Sequence, residues 1–200
     1  DANIGRQLFG CSDLGLNKAQ CLVTRINNFF GNDWKAVPYV FPTVLKDAKR
    51  EDMANITITC TDNIKSRLDL WNVLKAVPTS NFRSYETPLY WMDFGNTQNT
   101  GQVVLGTIPK KIKQPASELY KTVDSLKVIT RFVKYARVKE TDSGPSCSLA
   151  EALEKQDLFI NSTLAQLGCN ILWKMFRHGM LEHHGLFLNL ETMKVNPIMI

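Results

Sequence analysis

Between residues 54 and 78 the chain changes its hydrophobic period, and this change most narrows what it can fold into. Ile56, Ile58 and Cys60 alternate with Thr57 and Thr59, the two-residue period of a strand. Thr61-Asp62-Asn63 interrupts the run, and either Asp62 or Asn63 has the short polar side chain that caps a helix. Ile64, Leu68, Trp71 and Leu74 then recur at helical spacing and predict one apolar face, with the helix stopping before Pro78. A strand feeding straight into a capped helix belongs to an α/β fold.

The remaining periodicities agree with that class. Ala19, Leu22, Val23, Ile26 and Phe30 predict a helix over 17–30, ended by Gly31, and Pro38 and Pro42 punctuate an extended stretch after it. Leu89-Tyr-Trp-Met-Asp-Phe reads as a buried strand closed by Gly95-Asn96, and Gln102–Ile108 as a second strand with Gly101 at its mouth. Residues 109–147 read as a charged, partly helical excursion from the sheet. Ser148-Leu-Ala-Glu151 has the form of a capping box. Leu164, Leu167, Ile171, Leu172, Met175 and Phe176 predict a strong helix ending near Gly179, and a strand pair around Glu191-Thr192 closes the chain. At 200 residues and 44% apolar, the chain can bury one good core, so a single domain over 1–200 is expected.

The net charge of +5 comes largely from Lys110, Lys111, Lys113, Lys121, Lys127, Arg131, Lys134, Arg137 and Lys139. Such a stretch meets nucleic acid or an acidic partner, or forms a solvated surface. The solvated surface is the expectation here. No run of about 18 apolar residues exists, so no membrane span is expected. Five dispersed cysteines without a Cys-x-x-Cys pair suggest neither a disulfide framework nor a zinc site, which fits a cytoplasmic, reducing compartment. His183 and His184 adjoin Glu182, but neighbouring strand residues face opposite ways, so no metal site is expected there.

Two clusters carry chemistry. Asn3, Arg6, Gln7 and Lys18 surround a loop leading into the first helix, and a guanidinium fork, an ammonium and a helix N-terminus together suit a polyphosphate. Asp62 ends an apolar strand, where open α/β sheets place ligand-contacting groups, and such a carboxylate can hold Mg²⁺. Asn63 and Arg67 follow it. Cys147, in Pro-Ser-Cys-Ser before the capping box, is the thiol candidate, since a helix N-terminus lowers a thiol pKa. Cys60, within its strand, is expected in the core. Asp93 reads as a buried acid with a structural hydrogen-bonding role.

Asn3-Ile-Gly-Arg6-Gln7, Asp13-Leu-Gly-Leu-Asn-Lys18-Ala and Cys60-Thr-Asp62-Asn63 with Arg67 resemble, in order, the N-x-x-R-Q, D-x-G-x-x-K-A and D-x-T-D-N-x-x-x-R signature of the ThiF/MoeB/ubiquitin-activating superfamily. Tyr90-Trp-Met-Asp-Phe-Gly-Asn, Pro145-Ser-Cys-Ser-Leu-Ala-Glu-Ala-Leu and Asp157-Leu-Phe-Ile-Asn resemble the ThiF-related proteins of bacterial PRTRC gene cassettes. The resemblance implies a Rossmann-like fold with a mixed sheet flanked by helices. It implies an ATP- and Mg²⁺-dependent adenylation of the C-terminal carboxylate of a ubiquitin-like or sulfur-carrier protein, and a homodimer. It assigns Asn3, Arg6 and Lys18 to the nucleotide phosphates, Asp62 to Mg²⁺, and Asn63 and Arg67 to supporting positions. The catalytic set it implies is Arg6, Lys18 and Asp62, with Gln7 and Asn63 beside the nucleotide.

The family's glycine-rich loop and the acid that grips the ribose would precede Asp1, so the chain is expected to be an incomplete, C-terminal part, inactive alone. Zinc and nucleic acid are not expected. Two rival readings stand beside this one: a non-catalytic binding module of the same fold without nucleotide, and a dinucleotide-binding oxidoreductase, for which the glycine fingerprint and a hydride-transfer constellation are lacking.

Overall fold

The computed structural model describes residues 7–39, 53–77, 85–114, 116, 119, 122–135 and 155–200. Asn3, Arg6, Pro42, Lys121, Arg137, Lys139, Cys147 and the capping box at Ser148 lie outside the described residues.

Helix α1 (Lys18–Phe30) starts where Asn17 caps it, its Oδ1 accepting from the amides of Ala19 and Gln20 at 2.9 and 3.3 Å. It ends where Gly31 takes φ +67°, a conformation that L side chains resist. Strand β1 (Ile56–Thr59) leads through Asn63 into α2 (Ile64–Ala76), and Asn63, rather than Asp62, caps that helix by accepting from Ser66 N at 2.7 Å. β2 (Tyr90–Asn96) and β3 (Thr100–Thr107) form a hairpin. α3 (Ile160–His178) and the hairpin of β4 (His183–Asn189) and β5 (Lys194–Met199) complete the chain.

The five strands form one sheet in sequential order. β1 and β2 run parallel, joined through α2, and every later neighbour is antiparallel. The chain is therefore α/β, with a mixed five-stranded sheet and a terminal β-hairpin.

Strand alternation sends Met92, Val103, Leu105, Leu186 and Leu188 to one face, where Ile160, Leu164 and Ile171 of α3 cover them. Burying each such side chain contributes about 1.5–3 kcal/mol. α3 comes close because Gly168 carries no side chain: a Cβ there would stand 2.3 Å from Phe94 Cζ. The opposite face presents Trp91 and Val104 to Leu70 and Leu74 of α2 and to Val128 and Ile129. Trp71 stacks on Trp91 with ring centroids 5.5 Å apart.

Two expectations need correcting. In β1 it is Thr59 that is buried, while Ile58 is 50% exposed and Cys60 is exposed rather than in the core. Thr59 turns inward to meet Asp93, which sends its neighbours to the other face, and there α3 lies across β2, β3 and β4 rather than β1. Of the expected α2 face Ile64, Leu68, Trp71 and Leu74, Leu74 is buried and Trp71 packs against the core, but Leu68 is exposed and the other buried positions are Ser66, Arg67 and Leu70, because the helix is rolled to bury Arg67. Apart from these, described parts of the segment after β3 touch the sheet: Thr107 N donates to Leu126 O, and Val128 and Ile129 enter the core. The segment carries the short 3₁₀ turn Ile129–Arg131.

Candidate functional site

The parallel β1–β2 pair brings two strand ends to one rim, and Asp62 projects there. It is exposed, and its Oδ1 accepts from the side-chain amide of Asn63 at 3.2 Å. Beneath it lies a buried ion pair. Arg67 Nε donates to Asp93 Oδ1 at 3.0 Å, with the two side chains 9% and 0% exposed. Arg67 Nη2 donates to the carbonyls of Thr61 and Phe94, the latter at 2.9 Å. Thr59 Oγ1 donates to Asp93 Oδ1 at 2.7 Å and accepts from Trp91 Nε1 at 2.8 Å.

This polar knot is incompletely paired. Among the described residues, Asp93 Oδ2, Thr61 Oγ1 and Tyr135 OH are buried without a hydrogen-bond partner. Burial pushes the Asp93 carboxyl above its ordinary value, against the pull of Arg67 and the Thr59 bond. Burial, and then the Asp93 charge, push the Tyr135 phenol up to about 12. Tyr135 therefore sits within electrostatic reach of the pair. Cys60 is exposed as a residue, yet enough protein surrounds its sulfur to raise the thiol pKa, with Asp93 adding to the effect.

The second cluster is built on α1. Arg25 reaches back to the carbonyl of Leu8 and to Asp13 Oδ2, both at 2.5 Å, and Gly10 N donates to the same Asp13 oxygen at 2.7 Å. The Gly10 amide and then Arg25 hold the Asp13 carboxyl below its ordinary value. These contacts fold the loop holding Gln7 back along α1. Lys18, in the first turn, sets its Nζ 5.7 Å from the centroid of the Phe9 ring.

Lys18 packs on Phe9 beside the loop that follows Gln7, and Asp62 and Asn63 sit together at the β1 end. No ion pair joins Lys18 to Asp62, and α1 makes at most marginal contact with the sheet. Asn3, Arg6 and Cys147 lie outside the described residues. Lys110, Lys111, Lys113, Lys127, Arg131 and Lys134 are all exposed, as expected of a solvated face. His184 is buried, with Nδ1 2.6 Å from Leu105 O, and burial lowers its pKa although that bond opposes it.

Among the described residues no three His, Cys, Asp or Glu side chains gather to hold a metal ion. Asp62 alone fits a different mode, in which magnesium takes one carboxylate and fills its other positions with water and phosphate oxygens. No described helix is long and apolar enough to cross a membrane.

No protein-family model matches this chain, and no curated protein matches it.

The sequence reading missed the knot as a unit. Thr59, Tyr135 and the pairing of Arg67 with Asp93 were not foreseen. The available signal was Asp93 itself: a carboxylate inside an aromatic strand needs a buried cation, and Arg67 is one turn into the helix that covers the strand.

Proposed function

We propose that this chain is part of a ThiF/MoeB/ubiquitin-activating adenylating enzyme that uses MgATP to activate the C-terminal carboxylate of a ubiquitin-like or sulfur-carrier protein. One observation carries the reading. Asp62 is a solvent-facing acid at the carboxyl end of a parallel strand, directly before a capped helix, which is where an open α/β sheet meets its ligand. In this reading the rim belongs to a Rossmann-like fold, and a reducing, cytoplasmic compartment goes with it.

The reaction needs no protein nucleophile. The carrier's terminal carboxylate forms a bond to the α-phosphorus of ATP, and pyrophosphate leaves. Negative charge concentrates as this happens, and fixed cations answer it. Arg6 and Lys18 take that role here, and Asp62 is the residue that would hold Mg²⁺, which neutralises phosphate charge when bound. Asn3, Gln7 and Asn63 complete the nucleotide-facing set. One departure from the signature is local: Thr59 stands where its first aspartate would be, and the carboxylate facing Arg67 comes from Asp93 on the next strand.

The lack of an ion pair between Lys18 and Asp62 among the described residues favours a second reading, a non-catalytic module of the same fold. Calorimetry on the protein extended to include the glycine-rich loop that the resemblance implies distinguishes the two. The adenylating reading expects binding of MgATP that weakens at least tenfold in Lys18→Ala and in Asp62→Asn, and that EDTA reduces. No heat with MgATP, or binding indifferent to both substitutions, refutes it.

A further inference from the structure

The last registered pair of the parallel β1–β2 junction is Thr59 with Asp93. Beyond it β1 leaves the sheet, and the next residues carry Asp62 to the rim. We propose that Arg67 is a positioning residue for Asp62: its guanidinium extends the strand junction past the final backbone pair and fixes the peptide from which Asp62 projects. The consequence for metal or nucleotide binding rests on the adenylating reading; the positioning itself does not.

One nitrogen does the bridging. Nη2 donates both to the carbonyl of Thr61, the residue before Asp62, and to the carbonyl of Phe94 on β2. The guanidinium is aimed by its other edge, because Nε is held by Asp93 Oδ1. That oxygen is in turn fixed by Thr59, and Thr59 by Trp91, so the orienting chain runs Trp91–Thr59–Asp93–Arg67. A planar fork can serve a carboxylate and carbonyls from separate nitrogens at once, whereas a lysine ammonium is a single point on a flexible stem.

The backbone makes room for this arrangement. A Cβ on Gly95 would stand 2.3 Å from Gln102 Nε2 and 3.0 Å from Arg67 Nη2, so a side chain there would displace the Gln102 amide and crowd the guanidinium. On its far side Asp62 is held by Asn63, which donates to its carboxylate and caps α2. Asp62 is therefore flanked by two fixed points, the Thr61 carbonyl held by Arg67 and the Asn63 side chain on its carboxylate.

The test is backbone ¹⁵N relaxation on the full chain. In the parent, order parameters at residues 61–63 should sit near the rigid value of about 0.85 and should fall toward about 0.6 in Arg67→Lys, while the β3 and β4 amides stay unchanged. Gly95→Ala crowds the same nitrogen without removing the charge and should loosen the same residues, which keeps the proposal testable if Arg67→Lys fails to fold. Unchanged order at 61–63 in a folded variant overturns the proposal, and so does a uniform loss across the sheet, which would mark a merely structural pair. Titration with Mn²⁺ and ATP then reads the consequence: broadening at Asp62 should weaken in the variants. No broadening in the parent refutes the metal reading alone, since the relaxation data have already decided the positioning.

Discussion

Replacing Arg67 with methionine should be one of the most damaging single changes in this sheet. The substitution keeps much of the aliphatic stem but leaves Asp93, with 0% exposure, as a buried carboxylate without its cation. Removing one partner of a buried pair costs about 3–5 kcal/mol. The upper half of that range is expected, because the Thr61 and Phe94 carbonyls lose their donor as well. Against a total stability of about 5–15 kcal/mol for a domain, that is a large share. The loss should also depend on pH. Burial already raises Asp93, and without Arg67 its carboxyl rises further. The folded variant then keeps a proton that the unfolded chain releases above about pH 4, so its stability falls as pH rises through that window. The deficit should be widest at neutral pH and narrow on acidification. Urea unfolding followed by tryptophan fluorescence, with Trp71 and Trp91 stacked nearby, measures this at pH 7.5 and pH 5.0. Arg67→Met/Asp93→Leu should recover most of the loss. A deficit under about 1 kcal/mol at neutral pH, or a double variant as unstable as the two singles added, refutes the reasoning.

Two further outcomes follow from the same packing. Gly106→Ala should destabilise by about 2–3 kcal/mol, because the new Cβ would meet Val128 Cα at 2.5 Å and main chain cannot swing aside; Gly168→Ala should cost less, since it meets the Phe94 ring and gains about 1 kcal/mol of helix propensity. Thermal or urea unfolding would expose the reverse ranking. Tyr135 ionises near 10 when unfolded but is held up to about 12 when folded, so the native state keeps the proton and stability should decline between those pH values. Tyr135→Phe should flatten that alkaline decline, and an unaltered pH profile would contradict it.

Much of the architecture was readable because punctuation and period agreed. Asn17 and Gly31 bracket α1, Gly179 ends α3, and the apolar runs around Trp91 and Val104 became adjacent strands. The errors share one cause. Periodicity scores a threonine as polar and an isoleucine as buried, so β1 was expected to bury Ile58 and Cys60, yet a hydrogen bond to Asp93 pulled Thr59 inward. The same pair rolled α2 so that Arg67 is buried and Leu68 faces out, while Trp71 and Leu74 keep their places against the sheet. Pairwise electrostatics between residues 26 positions apart leaves no trace in local spacing. The site was legible only in pieces: Asp62 stood out at its strand tip, whereas which cation would face it depends on how two separate units meet.

The backbone of Val128 rides directly on Gly106, with no side chain between strand and overlying segment. Lys127, Arg131 and Lys134 are thus mounted on a strip of main chain seated on the sheet, beside the buried Val128 and Ile129. Their backbone attachment points are set by the packed Val128 and Ile129 between them. An acidic surface arriving there would order lysine stems but not the backbone beneath them, so less conformational freedom is lost on contact than with a loose basic tail.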